Sequence, residues 1–366
     1  MIYNGFSQYQ FLAGGYDISS YVRSDGVDGF NSLQQKPVWG EVPATPLLTL
    51  TCSNPTGEIS ASNPIGLFHS TTANQSLTGN TSYLLYKGEL LRAVPLQIYR
   101  KQGSLQILKW NGFIETLTED YGAKTTKITA ATAFSRSQDL PAQLDSTRGT
   151  PAAISRGIFQ LFNVPCNAVS FNSADAFLSS FIDITLSTDL LRSSETLMSI
   201  QKKLAIAGAS RIFPYNGEMF FEPFNSTVPI ITLDLFPRDL MDKPQITTVE
   251  GKFTPYTTNW LGLPSVNSQS FVIGGPSQTN DFGANSSVQI QSFSGAQYNC
   301  FTWETISQLK QRQVTFPVSH EIGAMLDLTS FVTLTYPFAG LQKQQLQIVG
   351  INDVDRRYTT LIGMTL

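Results

Sequence analysis

One pattern occurs twice in this chain, and it constrains the fold more than any other feature of its 366 residues. The first copy runs Ala93-Val94-Pro95-Leu96-Gln97-Ile98-Tyr99, then Leu105-Gln106-Ile107-Leu108-Lys109-Trp110-Asn111-Gly112-Phe113-Ile114, then Lys124-Thr125-Thr126-Lys127-Ile128-Thr129-Ala130. The second runs Phe331-Val332-Thr333-Leu334-Thr335-Tyr336, then Leu346-Gln347-Ile348-Val349-Gly350-Ile351, then Tyr358-Thr359-Thr360-Leu361-Ile362-Gly363-Met364. Each reads as strand, turn, strand with a glycine near its end, loop, strand. β-Branched and aromatic residues alternate with polar ones, the signal of a sheet with one buried face. Gly112 and Gly350 take the same place in the pattern, where a glycine marks a bulge or a sharp bend at the corner of a small barrel. Two antiparallel meanders can look alike by chance. The order of features favours one β module present twice.

A chain of this length holds two to four domains with separate cores. Only 14% of the residues are charged, against about 25% in an ordinary globular protein, and Ser, Thr, Asn and Gln make up the difference. Such a surface suits a subunit largely covered by neighbours, and is also compatible with a secreted β-rich protein. Net charge is −3, from 24 basic and 27 acidic side chains, with no basic run of the kind that binds nucleic acid through counterion release. No window has the apolar length of a membrane span, so no stable membrane insertion is expected. The first residues lack the basic and apolar segments of a signal peptide, so synthesis in a cytoplasm is expected. Cys52, Cys166 and Cys300 are far apart and odd in number, and read as buried free thiols rather than zinc ligands or a disulfide framework.

Along the chain, 15–23 reads as an opening strand and 46–52 as a second, followed by the turn cluster Ser53-Asn54-Pro55-Thr56-Gly57. Residues 58–80 read as a long polar loop, and Gln102-Gly103 as the turn inside the first copy. The middle of the chain differs. Thr150-Pro151 has the form of an N-cap with proline at the first helical position, and Ile154, Ile158, Leu161 and Phe162 share a stripe. Pro165 ends that helix. Residues 175–183 fit a helix or a strand. Leu197, Ile200, Leu204 and Ala207 mark a second helix, stopped near Gly208. Residues 211–222 form a β-hairpin turning at Asn216-Gly217. Further on, 230–233 and 246–253 read as strands, Tyr256 to Trp260 as a segment that turns the chain back, and 265–285 as a polar connector.

The residues single out no catalytic, cofactor-binding or metal-binding group. His69 and His320 lie in different modules, with no positioned acid or nucleophile beside them in sequence and no zinc spacing. Asp183, Asp189, Asp234 and Asp239 are scattered acids. Two of them meeting in a cleft would make a glycosidase pair, but structural and surface roles explain them better. Glu119-Asp120 reads as a solvated loop pair, and Lys202-Lys203 as the polar face of the second helix. No phosphate loop, dinucleotide fingerprint or nucleophile elbow occurs. The aromatic residues fit core packing better than sugar stacking.

In order and spacing these features resemble the central hub proteins of tailed-bacteriophage baseplates and tail tips. The resemblance is carried by Tyr16-Asp17-Ile18-Ser19-Ser20-Tyr21-Val22, by Leu47 to Thr51 followed by Asn54-Pro55-Thr56-Gly57 and Asn63-Pro64, by Val94 to Tyr99 with Trp110-Asn111-Gly112-Phe113-Ile114, by Leu197 to Glu222, and by Leu346 to Leu366. It departs in the 58–80 loop and the 265–285 connector. The resemblance implies a mainly β fold with a smaller α+β part. It divides the chain into a first tube-like β-barrel domain (1–145), an α+β insertion with the helix and hairpin (146–227), a β-rich connecting region (228–285) and a second tube-like barrel (286–366). It implies a homotrimer whose six barrel domains form a pseudo-sixfold ring in the virion tail. The ring would lie between a tail tube or distal tail protein and a central spike or fibre, around the tape-measure protein and, later, passing DNA. No cofactor and no enzymatic activity are implied. The alternative readings are a receptor-binding β protein that recognises host surface glycans, or another tail component such as a distal adaptor or tube protein.

Overall fold

The computed structural model describes residues 9–28, 35–43, 47–60, 94–102, 105–139, 147–187, 195–226, 230–249, 251, 254–267, 278–309, 311–352 and 358–365. The expected loop at 58–80 lies outside these residues from 61 onward, as do His69, Asp189 and the turn glycine Gly103. The described fold is mainly β with a smaller α+β part.

The first sheet is built from β1 (Tyr9–Ala13), β2 (Tyr16–Asp17), β3 (Val22–Asp28), β4 (Leu48–Ser53), β5 (Pro95–Gln102), β6 (Leu105–Asp120) and β7 (Thr125–Ala131), in the order β2-β1-β5-β6-β7-β4-β3. Alternate residues of β1, β4 and β7 are buried, as period-2 patterning requires. Phe11, Leu48, Leu50, Leu96, Ile98 and Ile128 form its core. The expected opening strand is broken in two. Asp17 accepts from the Ser19 backbone N–H at 3.0 Å and from the Ser19 hydroxyl at 2.5 Å, and this local turn competes with the ladder. Glu119 and Asp120 are the last residues of β6 rather than a loop pair.

The middle of the chain holds α1 (Ala133–Ser137), β8 (Arg148–Gly149), α2 (Pro151–Leu161), α3 (Ala168–Leu178), β9 (Ile184–Leu186), α4 (Leu197–Ala207) and the hairpin β10 (Ser210–Tyr215) and β11 (Glu218–Pro223). Thr150 caps α2, accepting from the Ala153 N–H, and Thr196 caps α4, accepting from the Ser199 N–H. The ambiguous stretch 175–183 completes α3 and then leads into β9. Asn216 and Gly217 turn the hairpin with φ of 50° and 80°, the positive pair that a two-residue turn of this kind requires.

Next come β12 (Ile231–Leu235), β13 (Gln245–Val249), β14 (Tyr256–Asn259), β15 (Val266–Asn267), β16 (Gln278–Asp281), β17 (Val288–Ile290), α5 (Phe293–Gln308), β18 (Gln311–Val318), α6 (His320–Ala324), β19 (Phe331–Tyr336), β20 (Leu341–Asn352) and β21 (Thr359–Thr365). The second large sheet has the order β12-β19-β20-β21-β18-β13, with Val314, Phe316, Leu334, Leu346, Ile348 and Leu361 in its core. Both large sheets are open: their outermost strands do not pair with each other among the described residues.

Strand pairing cuts across the linear boundaries at 227/228 and 285/286. β12 and β13, from the stretch read as a connecting region, complete the C-terminal sheet. β17 and α5, from the stretch assigned to the last module, pack into the helical core with Phe159, Phe171, Ile200 and Leu204. Tyr256 to Asn259 is not a turn. It pairs with β15 and β16 because Tyr256 and Thr258 are buried against α5, where Thr258 donates to Asn299 Oδ1 at 2.9 Å.

Candidate functional site

The two large sheets share one connectivity. In chain order the first uses β1, β3, β4, β5, β6 and β7, and the second uses β12, β13, β18, β19, β20 and β21. Taken in space, the corresponding strands stand in the same sequence. One orientation differs: β1 runs antiparallel to β5, whereas β12 runs parallel to β19.

Register agrees strand by strand. Ile98 faces Trp110 in the first sheet as Leu334 faces Gln344 in the second. Leu117 faces Ile128 as Ile351 faces Leu361, and Leu50 faces Ile128 as Phe316 faces Leu361. β6 and β20 each carry two irregularities at matching places. The first is at Lys109 and Lys343, and the second is at Glu115 and Val349. This register corrects the expected pairing of Gly112 with Gly350. The counterpart of Gly112 is Leu346, and that of Gly350 is Thr116. Gly112 is needed for space, since a Cβ there would collide with the Ala131 carbonyl oxygen and the Trp110 ring. Gly350 sits at the second bulge, where Gln35 forms a bridge to it.

One pair of side chains repeats as well. By register Asn54 corresponds to His320 and Thr126 to Thr359. Asn54 Nδ2 donates to Thr126 Oγ1 at 2.8 Å, and His320 Nδ1 lies 3.0 Å from Thr359 Oγ1. Both threonines are fully buried. His320 is therefore a strand-end anchor. The sheets also meet directly: Arg100 on β5, itself buried, donates from Nη2 to the carbonyl oxygen of His320 at 3.1 Å.

The β10–β11 hairpin joins both sheets to the helical core. Ile212, Met219 and Phe221 point into that core, while Phe213 and Tyr215 point into the core of the second sheet. At its tip, Lys109 Nζ stands 3.4 Å from Tyr215 Oη and over the Tyr215 ring. At its base, Glu222 takes Arg211 at 2.8 Å, Lys36 at 2.6 Å and Gln347 Nε2 of β20 at 2.9 Å. Arg211 also donates to Gln347 Oε1 at 2.8 Å and lies over the Trp39 ring. Burial works to raise the Glu222 carboxyl, but the charges of Arg211 and Lys36 outweigh it and bring it down to about 2. Burial pushes the Lys36 ammonium down to about 8, partly offset by Glu222. Such a network fixes geometry more than it adds stability, because desolvation of the charges opposes their attraction. A cavity of about 160 Å³ lies beside it, between Trp39, Phe224, Leu309, Phe331 and Met364.

The other sequence candidates are structural. Asp183 pairs with Arg148 at 2.6 Å, Asp234 accepts from the Thr333 hydroxyl, and Asp239 accepts from the Phe236 N–H at 2.9 Å. Lys202 pairs with Glu41 and Lys203 with Glu195. Cys52 and Cys300 are buried and Cys166 half-buried; burial pushes the Cys52 and Cys166 thiols up to about 12. Among the described residues no group of His, Cys, Asp and Glu is placed to hold a metal, and no helix is long and apolar enough to cross a membrane.

Sequence reasoning missed α5 and its role. Asn299 Nδ2 donates to the carbonyls of Ile206 and Ala207 at 2.8 and 2.9 Å, and Trp303 Nε1 donates to Ile206 O at 2.9 Å. These bonds close the C-terminus of α4, whose last carbonyls have no partner within the helix.

No protein-family model matches the chain, and no curated protein matches it in sequence. Solved structures do match over nearly its whole length. It is similar to the 43 kDa tail protein of prophage MuSo2 from Shewanella oneidensis, at 12% identity and a TM-score of 0.51, covering 98% of each chain. It is similar to a tail protein from Neisseria meningitidis MC58, at 9% identity and a TM-score of 0.55, covering 98% of this chain and 96% of that one. Prophage tail protein gp18 from Listeria monocytogenes EGD-e matches at 10% identity and a TM-score of 0.51, covering 98% and 94%. At these identities the likeness shows a common fold.

Proposed function

We propose that this chain is a structural component of a phage tail, the central hub of its baseplate or tail tip, and that it acts without catalysis. The observation that carries this reading is the duplicated sheet, repeated in connectivity and register, with the two copies held against each other inside one chain. Three chains would then present six equivalent sheets around one axis, and three copies of everything else. That arrangement would match a sixfold tail tube or distal tail protein on one side and a threefold spike or fibre on the other, without a second gene product. The tape-measure protein, and later the DNA, would pass through the ring. The shared fold with three phage tail proteins supports the setting, the virion tail. The low charge fraction supports a surface largely covered by neighbours.

The test is the stoichiometry of the assembled object. Light scattering of the chain with its tube protein should give three copies per ring, and a reconstruction of the intact particle should place it at the tube's end. A ring of six chains, or a location away from the tube's end, would overturn the reading.

A further inference from the structure

The contact between the two sheets inside one chain joins the β5 side of the first sheet, at Arg100, to the start of α6 in the second, at His320. It is head-to-tail: the two surfaces involved are different. Each has a counterpart in the other copy. Arg100 faces Ile107, and the residue at the matching place in the second sheet, facing Leu341, is Tyr336. His320 corresponds to Asn54, which makes the same side-chain bond to the matching threonine.

Among the described residues, neither the Tyr336 surface nor the Asn54 surface takes part in a contact between the two sheets. Tyr336 begins a single 3-10 turn, 337–339, and pairs edge-on with Phe338, their ring centres 6.1 Å apart. Phe338 is 93% exposed, equalled only by Leu263 among the exposed large apolar residues described. At the other surface Pro55 and Thr56 are exposed in the turn after Asn54.

We propose that a second copy of this chain docks here, with Tyr336 and Phe338 of one molecule seated on the Asn54–Thr56 turn of the next. The contact repeats between chains the one already made within each chain. An aromatic pair against a proline-bearing turn is the composition that anchors interfaces, with the ring removed from water on contact. Unlike surfaces meeting head to tail generate a closed ring or an open filament, according to whether the rotation closes. The proposal rests on the hub reading for closure at three, but not for the contact itself.

The experiment is cross-linking of the full chain carrying Gln342→Cys, at an exposed position beside the Phe338 turn, and Thr56→Cys, at rising protein concentration, with a short bismaleimide. Variants with one substitution each report the background from Cys166. The double variant should give covalent dimers and trimers. An equimolar mixture of the two single variants should give dimers only. A second measurement is sedimentation of Phe338→Asp, which should weaken self-association about tenfold or more. Trimers that form without cross-linking above the single-variant background would overturn this contact and leave the hub reading standing. Cross-linked ladders running past three, as open chains, would uphold the contact and overturn the trimeric ring. No cross-link and no self-association at any concentration would overturn the contact as well.

Discussion

The two large sheets have the same backbone and different chemistry, and the places where they differ are informative. Inward positions stay apolar in both: Leu50 and Phe316, Ile98 and Leu334, and Ile128 and Leu361 are all fully buried. Those positions hold the register, since a slip of one residue would turn every one of them to solvent. Differences collect where something else lands. At the first bulge Lys109 is buried beneath the hairpin tip while Lys343 is exposed. At the second, Glu115 has Val349 as its counterpart, and the Val349 carbonyl accepts the Lys36 N–H at 2.7 Å. The scaffold is common to both sheets, and neighbouring segments have diversified its surface.

The hairpin gives the largest way to break that comparison, because it grips one sheet by a charged base and the other by a tip. Glu222→Ala would leave Lys36 and Arg211 buried together without a counter-charge, and should cost about 3–5 kcal/mol. Denaturant unfolding measures it, and a loss below about 1 kcal/mol would show that the base does not tie the hairpin to β20. At the tip, the 3.4 Å contact from Lys109 to Tyr215 is long for a hydrogen bond. Tyr215→Phe should therefore cost no more than about 1 kcal/mol.

The register correction yields the next test. Leu346 fills the core of the second sheet, and Leu346→Ala should cost about 2–5 kcal/mol. Its counterpart Gly112 has backbone and a ring where a side chain would go, so Gly112→Ala should cost about 1–3 kcal/mol through overpacking. Gly350→Ala should cost less than Gly112→Ala. Its new methyl would meet the flexible end of Ile362, at 2.9 Å, rather than a carbonyl. Thermal unfolding of the three variants should give this order. If Gly350 proved the more sensitive glycine, the register argument would fail.

Much of this was legible in the sequence. The alternation at 94–99 and 331–336, the Thr150 cap, the apolar face of α4 and the Asn216-Gly217 turn are local signals that tertiary structure did not override. What was missed depended on distant partners. α5 buries Gly295, Ala296, Asn299, Cys300 and Trp303, where Ala296, Cys300 and Trp303 make an apolar stripe that Gly295 and Asn299 interrupt, a weak signal beside the stripes of α2 and α4. Its purpose lies in the α4 carbonyls it closes. The two strands that complete the second sheet, β12 and β13, lie far from β18 and β19 in sequence, and no local pattern announces such pairing. Gly112 and Gly350 do not correspond, because register is set by bulges, which leave no fixed residue type. The Lys36, Arg211, Glu222 and Gln347 network draws on three separate stretches of chain and has no linear motif.

A smaller effect sharpens the repeated anchor. Asn54 serves twice, donating to Thr126 and accepting the Ile59 N–H at 3.0 Å, whereas His320 makes one such side-chain bond to Thr359. Asn54→Ala should cost about 1–3 kcal/mol, the usual range when buried partners lose their bonds. His320→Asn, which installs the first sheet's residue in the second, should stay within about 1 kcal/mol of the parent. A large loss on that exchange would mean that the two anchors are not interchangeable.

The smallest expected effect is a pH dependence peculiar to the hairpin base. Lys36 has a pKa of about 8 in the folded chain against 10.5 for a free lysine, because burial outweighs the attraction of Glu222. Between those values the unfolded chain holds more protons than the folded one, so stability rises with pH across that window. The slope is bounded at about 1.4 kcal/mol per pH unit, so a gain of about 1 kcal/mol between pH 8 and 9 is expected. Glu222 acts at the other end. Its depressed pKa contributes stability that is complete above the ordinary value of 4.5 and is lost as pH falls through about 2. Lys36→Met should abolish the alkaline gain. The measurement is the difference in denaturation midpoint between parent and variant at pH 7.5, 8.5 and 9.5. If that difference does not grow in favour of the parent as pH rises, the ammonium is not held in a desolvating site, and the base of the hairpin is wetter than its geometry implies.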